Sequence, residues 1–186
     1  KLVQIMKCDL NIANCIIDTV QSNKITDLIV GIHHKANIVD TFLGGTITSL
    51  INSSSNQNLI IYGPKKPINS VKRLVVAVPQ MAELEVGFDI WFDRIKNIAS
   101  QLSIPIVFYA NKVTTAALKK QCEIHSSLNV SFRELASWED FLIISKHIKH
   151  GDTLIVITAR KATLSYNNLF EKIPYYLNKY FTDNNF

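Results

Sequence analysis

The sequence predicts an α/β protein built from two parallel-sheet units in tandem, each an α/β/α sandwich. Three observations lead there. Short apolar runs alternate with amphipathic helical patterns along the chain, the order that gives a parallel sheet joined by helical crossovers. GPKKPINSV, Gly63 to Val71, breaks that alternation in mid-chain, and it restarts at Arg73. Finally, two apolar strands open alike, Asp27-Leu28-Ile29-Val30 and Asp152-Thr153-Leu154-Ile155-Val156, each after a strand and a helix.

The elements follow in order. Leu2 to Met6 alternates and reads as a strand. Asp9 or Asn11 can cap a helix that carries Ile12, Cys15, Ile16 and Val20 on one face. Asp27 to Gly31 is a short buried strand. A helix with Phe42, Leu43, Ile47, Leu50 and Ile51 on one side leads through a polar loop to the strand Leu59–Tyr62. After the break, Arg73 to Val78 is a near-continuous apolar run of the kind buried on both sheet faces. Phe88, Trp91, Phe92, Ile95, Ile98, Ala99 and Leu102 recur at helical spacing. Ile104 to Ala110 is a strand, Val113 to Ile124 a helix and Val130 to Leu135 a strand. Ser137, with Asp140 three residues on, starts a helix whose core side holds Phe141, Leu142, Ile144 and Ile148. Gly151 ends it before the strand Asp152–Thr158. Tyr166 to Tyr180 is helical, with Pro174 kinking or dividing it.

Composition narrows the class. Of 186 residues, 47% are hydrophobic and 19% charged, enough for a sizeable core and too few charges for disorder. The net charge is +5, but the basic residues are spread out, apart from the cluster Lys65, Lys66, Lys72 and Arg73. That pattern argues against a nucleic-acid reader, which concentrates its cations with interleaved aromatics. Cys8, Cys15 and Cys122 form no metal-ligand spacing and fit a reducing compartment. No stretch carries the twenty or so apolar residues of a spanning helix. A chain opening at Lys1 with no start methionine is expected to be part of something longer.

Several residues suggest binding chemistry. Gly31 ends an apolar run, His33, His34 and Lys35 follow, and Gly44-Gly45 precedes Thr46. Glycines let a backbone approach phosphate, and helix N-termini supply donors and positive potential. Lys35 would bring charge and the histidines donors when protonated; a solvated loop is the plainer account of the same residues. Arg160, Thr163 and Ser165, with Lys161, form a second candidate anion site at a strand's carboxyl end, although the loop has no glycine. Trp91, Phe92 and Trp138 read as core. Neither a nucleophile elbow nor a metal set appears, and no catalytic residue is assigned.

The run ITDLIVGIHHKANIVDTFLGGTITSLINSSSNQNLIIY, positions 26 to 62, resembles the end of a universal stress protein domain, of the adenine nucleotide alpha hydrolase-like class. There a strand ending Asp-Leu-Ile-Val precedes Gly-x-x-Gly, nine residues, then Gly and Ser or Thr. Gly31 stands at the first glycine and His34 at the second; Gly44 fits the third, Gly45 takes the hydroxyl position and Thr46 comes one residue late. From Lys72 the chain resembles the same family again. Where that family has an adenine-contacting aspartate, Val78-Pro79-Gln80 has none.

Tandem copies with a degenerate second member are similar to the cytoplasmic tails of bacterial cation/proton antiporters, and AVPQMAELEVGFDIWFDRIKNIASQLSIPIVFYA is the segment closest to that group. The resemblance implies residues 1–63 as the last part of a first unit, 64–71 as linker and 72–186 as a second unit. The first would be truncated at its front and the second before a last strand just beyond Phe186. It implies a non-catalytic regulatory domain for Na⁺/H⁺ or K⁺/H⁺ antiport, covalently linked to a transmembrane part at the cytoplasmic face of the bacterial inner membrane. The domain would form a homodimer close to the membrane surface, with no nucleic-acid partner. No cofactor is expected beyond weak ATP or AMP binding. A free-standing tandem stress protein whose main ligand is ATP or AMP is the rival, and a pure dimerisation module a third reading.

Overall fold

The computed structural model describes residues 3–8, 10–31, 50, 57–123 and 128–186. The chain divides into two compact units, Lys1–Tyr62 and Gly63–Phe186.

In the first unit, helix α1 spans Ile12–Ser22. Asn11 caps it: the Asn11 side chain accepts hydrogen bonds from the amides of Ala13 (2.9 Å) and Asn14 (3.3 Å), two of the donors a helix start leaves unpaired. Strands β1 (Asp27–Gly31) and β2 (Asn58–Tyr62) pair in parallel, Asp27 opposite Asn58 and Gly31 opposite Tyr62. Asn58 Nδ2 donates to Asp27 Oδ1 at 3.1 Å, fixing the register at its open end. Leu50, in a helical position, is fully buried, while its predicted helix otherwise lies outside the described residues.

Two expectations fail in this unit. Residues 3–8 are exposed and form no strand, because alternation alone gives a strand no hydrogen-bond partner. Nor is β1 buried on both faces: Ile29 is 66% exposed, and its neighbour in register, Ile60, is 37% exposed.

The second unit holds a four-stranded parallel sheet of β3 (Arg73–Ala77), β4 (Ile106–Ala110), β5 (Val130–Glu134) and β6 (Asp152–Val156), in the order β5-β4-β3-β6. This is the 3-2-1-4 order of doubly wound α/β folds. Every residue of β4 is buried, as its unbroken apolar run requires. Helix α2 (Phe88–Leu102) buries Phe88, Phe92, Ile95 and Ala99 on one stripe. It packs with Leu118 of α3 (Lys112–Glu123) over Leu74, Val76, Ile106 and Phe108. Phe92, Phe108 and Phe132 form a stack with centroids 6.0 and 5.9 Å apart.

Because strand side chains alternate, the opposite sheet face needs its own cover. The chain from β5 to β6 supplies part of it, through a 3₁₀ helix, Trp138–Lys146, rather than the expected α-helix. Its buried residues, Trp138, Phe141 and Ile144, are spaced by three, the repeat that lines up in a 3₁₀ helix. Ser137 still caps it, accepting from the Glu139 amide (3.2 Å). After β6 the expected helix is divided at Pro174, into a 3₁₀ turn (Asn168–Lys172) and α4 (Ile173–Tyr180). Phe170 meets Trp138 edge-on and Phe181 packs on Phe141, completing this layer.

The last residues return to the sheet. Asn185 bridges Thr153 in parallel and its carbonyl accepts from the Leu154 amide (2.9 Å), so β6 is paired on both sides. Pairing beside β6 thus begins at Asn185, ahead of the position expected beyond Phe186. At the start of β6, Asn184 Nδ2 donates to the backbone carbonyl of Asp152 at 3.1 Å.

The segment Gly63–Val71 belongs to this unit. Asn185 Oδ1 accepts from the amides of Lys65 (2.7 Å) and Lys66 (2.8 Å), and its Nδ2 donates to Lys66 O (3.0 Å). Gly63 lies so close to Phe186 that an added Cβ would sit 2.3 Å from the ring. Replacing Asn185, which is 3% exposed, by alanine is expected to cost about 1–2 kcal/mol in urea unfolding, since the freed amides of the exposed segment can turn to water. A change under about 0.3 kcal/mol would mean that the side chain does not tie the segment down.

Candidate functional site at the carboxyl end of the second sheet

In an open α/β sheet a ligand sits beyond the carboxyl ends of the strands, where the chain leaves neighbouring strands in opposite directions. Here that point lies between β3 and β6, the pair from which the order runs outward both ways. Two loops meet there: 78–87, after β3, and 157–167, after β6.

A carboxylate already occupies the junction. Ser165, 5% exposed, donates to Glu85 Oε1 twice, from its amide (2.7 Å) and its hydroxyl (2.8 Å). Burial pushes the Glu85 carboxyl upward. The Ser165 amide and hydroxyl outweigh that, with the Leu164 amide adding to the pull, and hold its pKa below the usual carboxylate range. Thr163 Oγ1 donates to Arg160 O (2.9 Å), closing the turn from which these donors project. Within this loop Ser165 thus holds a carboxylate of the same chain. Arg160 is half-buried, which lowers its pKa. Lys161 points to Glu171 (2.8 Å) at the surface.

Both loops carry strain. Met81 (φ 60°) and Ala162 (φ 69°) are left-handed without being glycine, a conformation that costs about 1–2 kcal/mol for a residue with a Cβ. Such residues persist where the surroundings over-determine them. Around Met81 the packing does so: Gln80 Nε2 donates to Ala136 O (2.7 Å), and the buried Thr114 donates from Oγ1 to Glu83 Oε2 (2.7 Å). Gln80 thus ties the β3 loop to the chain beyond β5, and Glu83 ties it to α3.

The first candidate loop is largely beyond view. His33, His34, Lys35, Gly44, Gly45 and Thr46 lie outside the described residues. Gly31 closes β1 opposite Tyr62, and a Cβ there would meet no atom within 4 Å.

The chemistry within reach is limited. Ser165 gives its proton to a carboxylate acceptor, which fixes the hydroxyl as a donor to Glu85. Among the described residues no three His, Cys, Asp or Glu side chains converge as a metal site, and no helix is long and apolar enough to cross a membrane. Glu85 is the residue that sequence reading missed. Its signal was present: Glu83 and Glu85 follow a buried strand, in a loop expected to face a Ser/Thr-bearing loop across the sheet's switch point. No protein-family model matches the chain, and no curated protein or solved structure is significantly similar to it.

Proposed function

We propose that the chain is a non-catalytic regulatory module of a monovalent cation/proton antiporter, Na⁺/H⁺ or K⁺/H⁺, at the cytoplasmic face of a bacterial inner membrane. It would act through assembly or ligand sensing, favouring one state of a covalently linked transmembrane part. The observation that carries the reading is the Glu85–Ser165 contact. At the place where a doubly wound sheet would hold a nucleotide, the chain's own Glu85 carboxylate takes the Ser165 donors, and its charge would repel phosphate. One further feature is consistent with a unit of this class, the doubly wound strand order of the second sheet.

Two experiments test it. Titration calorimetry with ATP and AMP should show no micromolar binding. Micromolar affinity abolished by Gly44→Val would overturn the reading and favour a stress protein whose main ligand is adenine nucleotide. Antiport in vesicles carrying the full-length gene product should shift its half-maximal cation concentration when residues 1–186 are deleted. An unchanged profile would remove the regulatory role.

Assembly has its own marker. Ile29 and Ile60 form an exposed apolar pair on neighbouring strands, the kind of face a second sheet covers. Ile60→Lys should move a sedimentation-velocity profile from dimer towards monomer, about tenfold or more in dissociation constant. A strict monomer before and after the substitution would exclude a homodimer built on this face.

A further inference from the structure

We propose that the amino-terminal edge of the second unit's sheet is a docking surface for an anionic lipid bilayer. Topology gathers there the segments that precede β3 and β6 and the chain's last residues. Lys72 N donates to Gly151 O (2.8 Å), Lys66 Nζ lies 3.1 Å from His150 Nδ1, and Asn184 Nδ2 donates to Lys149 O (3.0 Å). These contacts join Lys65, Lys66, Lys72 and Lys149 into one basic area, with Lys146 in the segment that leads to β6, and all but the half-buried Lys66 are exposed.

Little negative charge offsets it. Asp152 is buried and already paired with Arg73, and Asp183 is the remaining acid in the segments just named. Among the described residues no carboxylate forms an ion pair with any of the five lysines. The opposite, carboxyl edge carries Glu83, Glu85, Asp89, Glu139 and Asp140 against Lys112, Arg160 and Lys161, so acids outnumber bases there. The unit is thus electrically polar along its strands, and an anionic surface would orient it with the lysine edge inward.

Apolar and aromatic groups distinguish a bilayer from other polyanions. Pro64, Pro67 and Ile68, the last 54% exposed, flank Lys65 and Lys66. Such a segment can place its lysines at headgroups and its apolar side chains just beneath them. Tyr175 and Tyr180 are exposed on α4, but Lys179 Nζ lies 5.4 and 5.2 Å from their ring centroids. A cation on those rings suits an interfacial belt and hinders the base stacking that single-stranded nucleic acid needs.

The surface would serve the antiporter reading, yet vesicle binding by this chain alone needs no transporter, so either can fail without the other. Co-sedimentation with phosphatidylcholine vesicles, with and without phosphatidylglycerol, is the test. The chain should bind only the anionic vesicles and should be released as salt shortens the screening length from about 10 Å to about 3 Å. Each lysine near such a surface contributes roughly fivefold in partitioning, so K65E/K66E should lower it by about twentyfold or more. Lys149→Glu should lower it by at least about fivefold. Lys112→Glu, near the other edge, should leave partitioning within about twofold of the original. Tryptophan fluorescence would verify that each variant is folded. No binding to anionic vesicles, an equal loss in Lys112→Glu, or tighter binding to a single-stranded oligonucleotide at the same salt would overturn the proposal.

Discussion

Arg73→Leu is expected to destabilise the second unit by about 3 kcal/mol, at the lower end of the cost of breaking a buried ion pair. Arg73 opens β3 and Asp152 opens the neighbouring β6, the two being partners in register. Arg73 Nε donates to Asp152 Oδ1 at 3.1 Å and its Nη2 bonds the other carboxylate oxygen. The Asp152 side chain is 4% exposed and that of Arg73 is 20% exposed, so loss of the arginine strands a carboxylate that water reaches poorly. The Lys149 amide, 2.7 Å from Asp152 Oδ2, remains as a partner and keeps the cost from rising further. The hydrogen bond to Asp152 raises the Arg73 pKa, so the guanidinium stays charged across any working pH. Adding Asp152→Asn to Arg73→Leu should recover part of the loss, since the stranded charge is then gone. Both tryptophans, Trp91 and Trp138, lie in this unit, so urea unfolding followed by their fluorescence reports it alone. A loss below about 1 kcal/mol would mean that water enters the pair.

Glu85→Ala should cost about 1–3 kcal/mol, because it leaves the amide and hydroxyl of the buried Ser165 without their acceptor. The acid side of the pH profile carries the more specific signature. The Glu85 pKa is lower in the folded chain than in the unfolded one, so its stabilisation is complete above the ordinary carboxylate range. It fades as pH falls through the folded value. The stability gap between the original chain and Glu85→Gln should therefore narrow steadily on acidification; a gap that widens would reverse the assignment. A second signature comes from linkage. With the carboxylate removed, millimolar acetate should refill the vacated place and raise the melting temperature of Glu85→Ala, while leaving the original chain unmoved. Equal stabilisation of both would show that Glu85 does not hold the site.

Much of the second unit could be read from local pattern. β3 after Arg73 and the whole of β4 are apolar without interruption, and burial on both sheet faces follows. The stripe Phe88, Phe92, Ile95, Ala99 fits a helix against one surface, and Pro174 divides the last helical stretch because it lacks an amide hydrogen. In each case the information lies within one or two turns or a single strand. The tertiary structure alone decided the rest. The alternation expected to make a strand of Leu2–Met6 gives none over residues 3–6, since no described strand lies beside them to pair with. The stretch Trp138–Lys146 settled as 3₁₀ because its three buried side chains face one layer at a spacing of three. Ser165 was visible as a donor of a candidate anion site, but its partner Glu85 stands 80 residues away. Asn185 holds Lys65 from 120 residues away. Periodicity records which face of an element is buried; it carries no record of which distant loop the sheet will bring against it. Through that long-range placement, a loop chemically suited to an external anion came to hold the chain's own carboxylate.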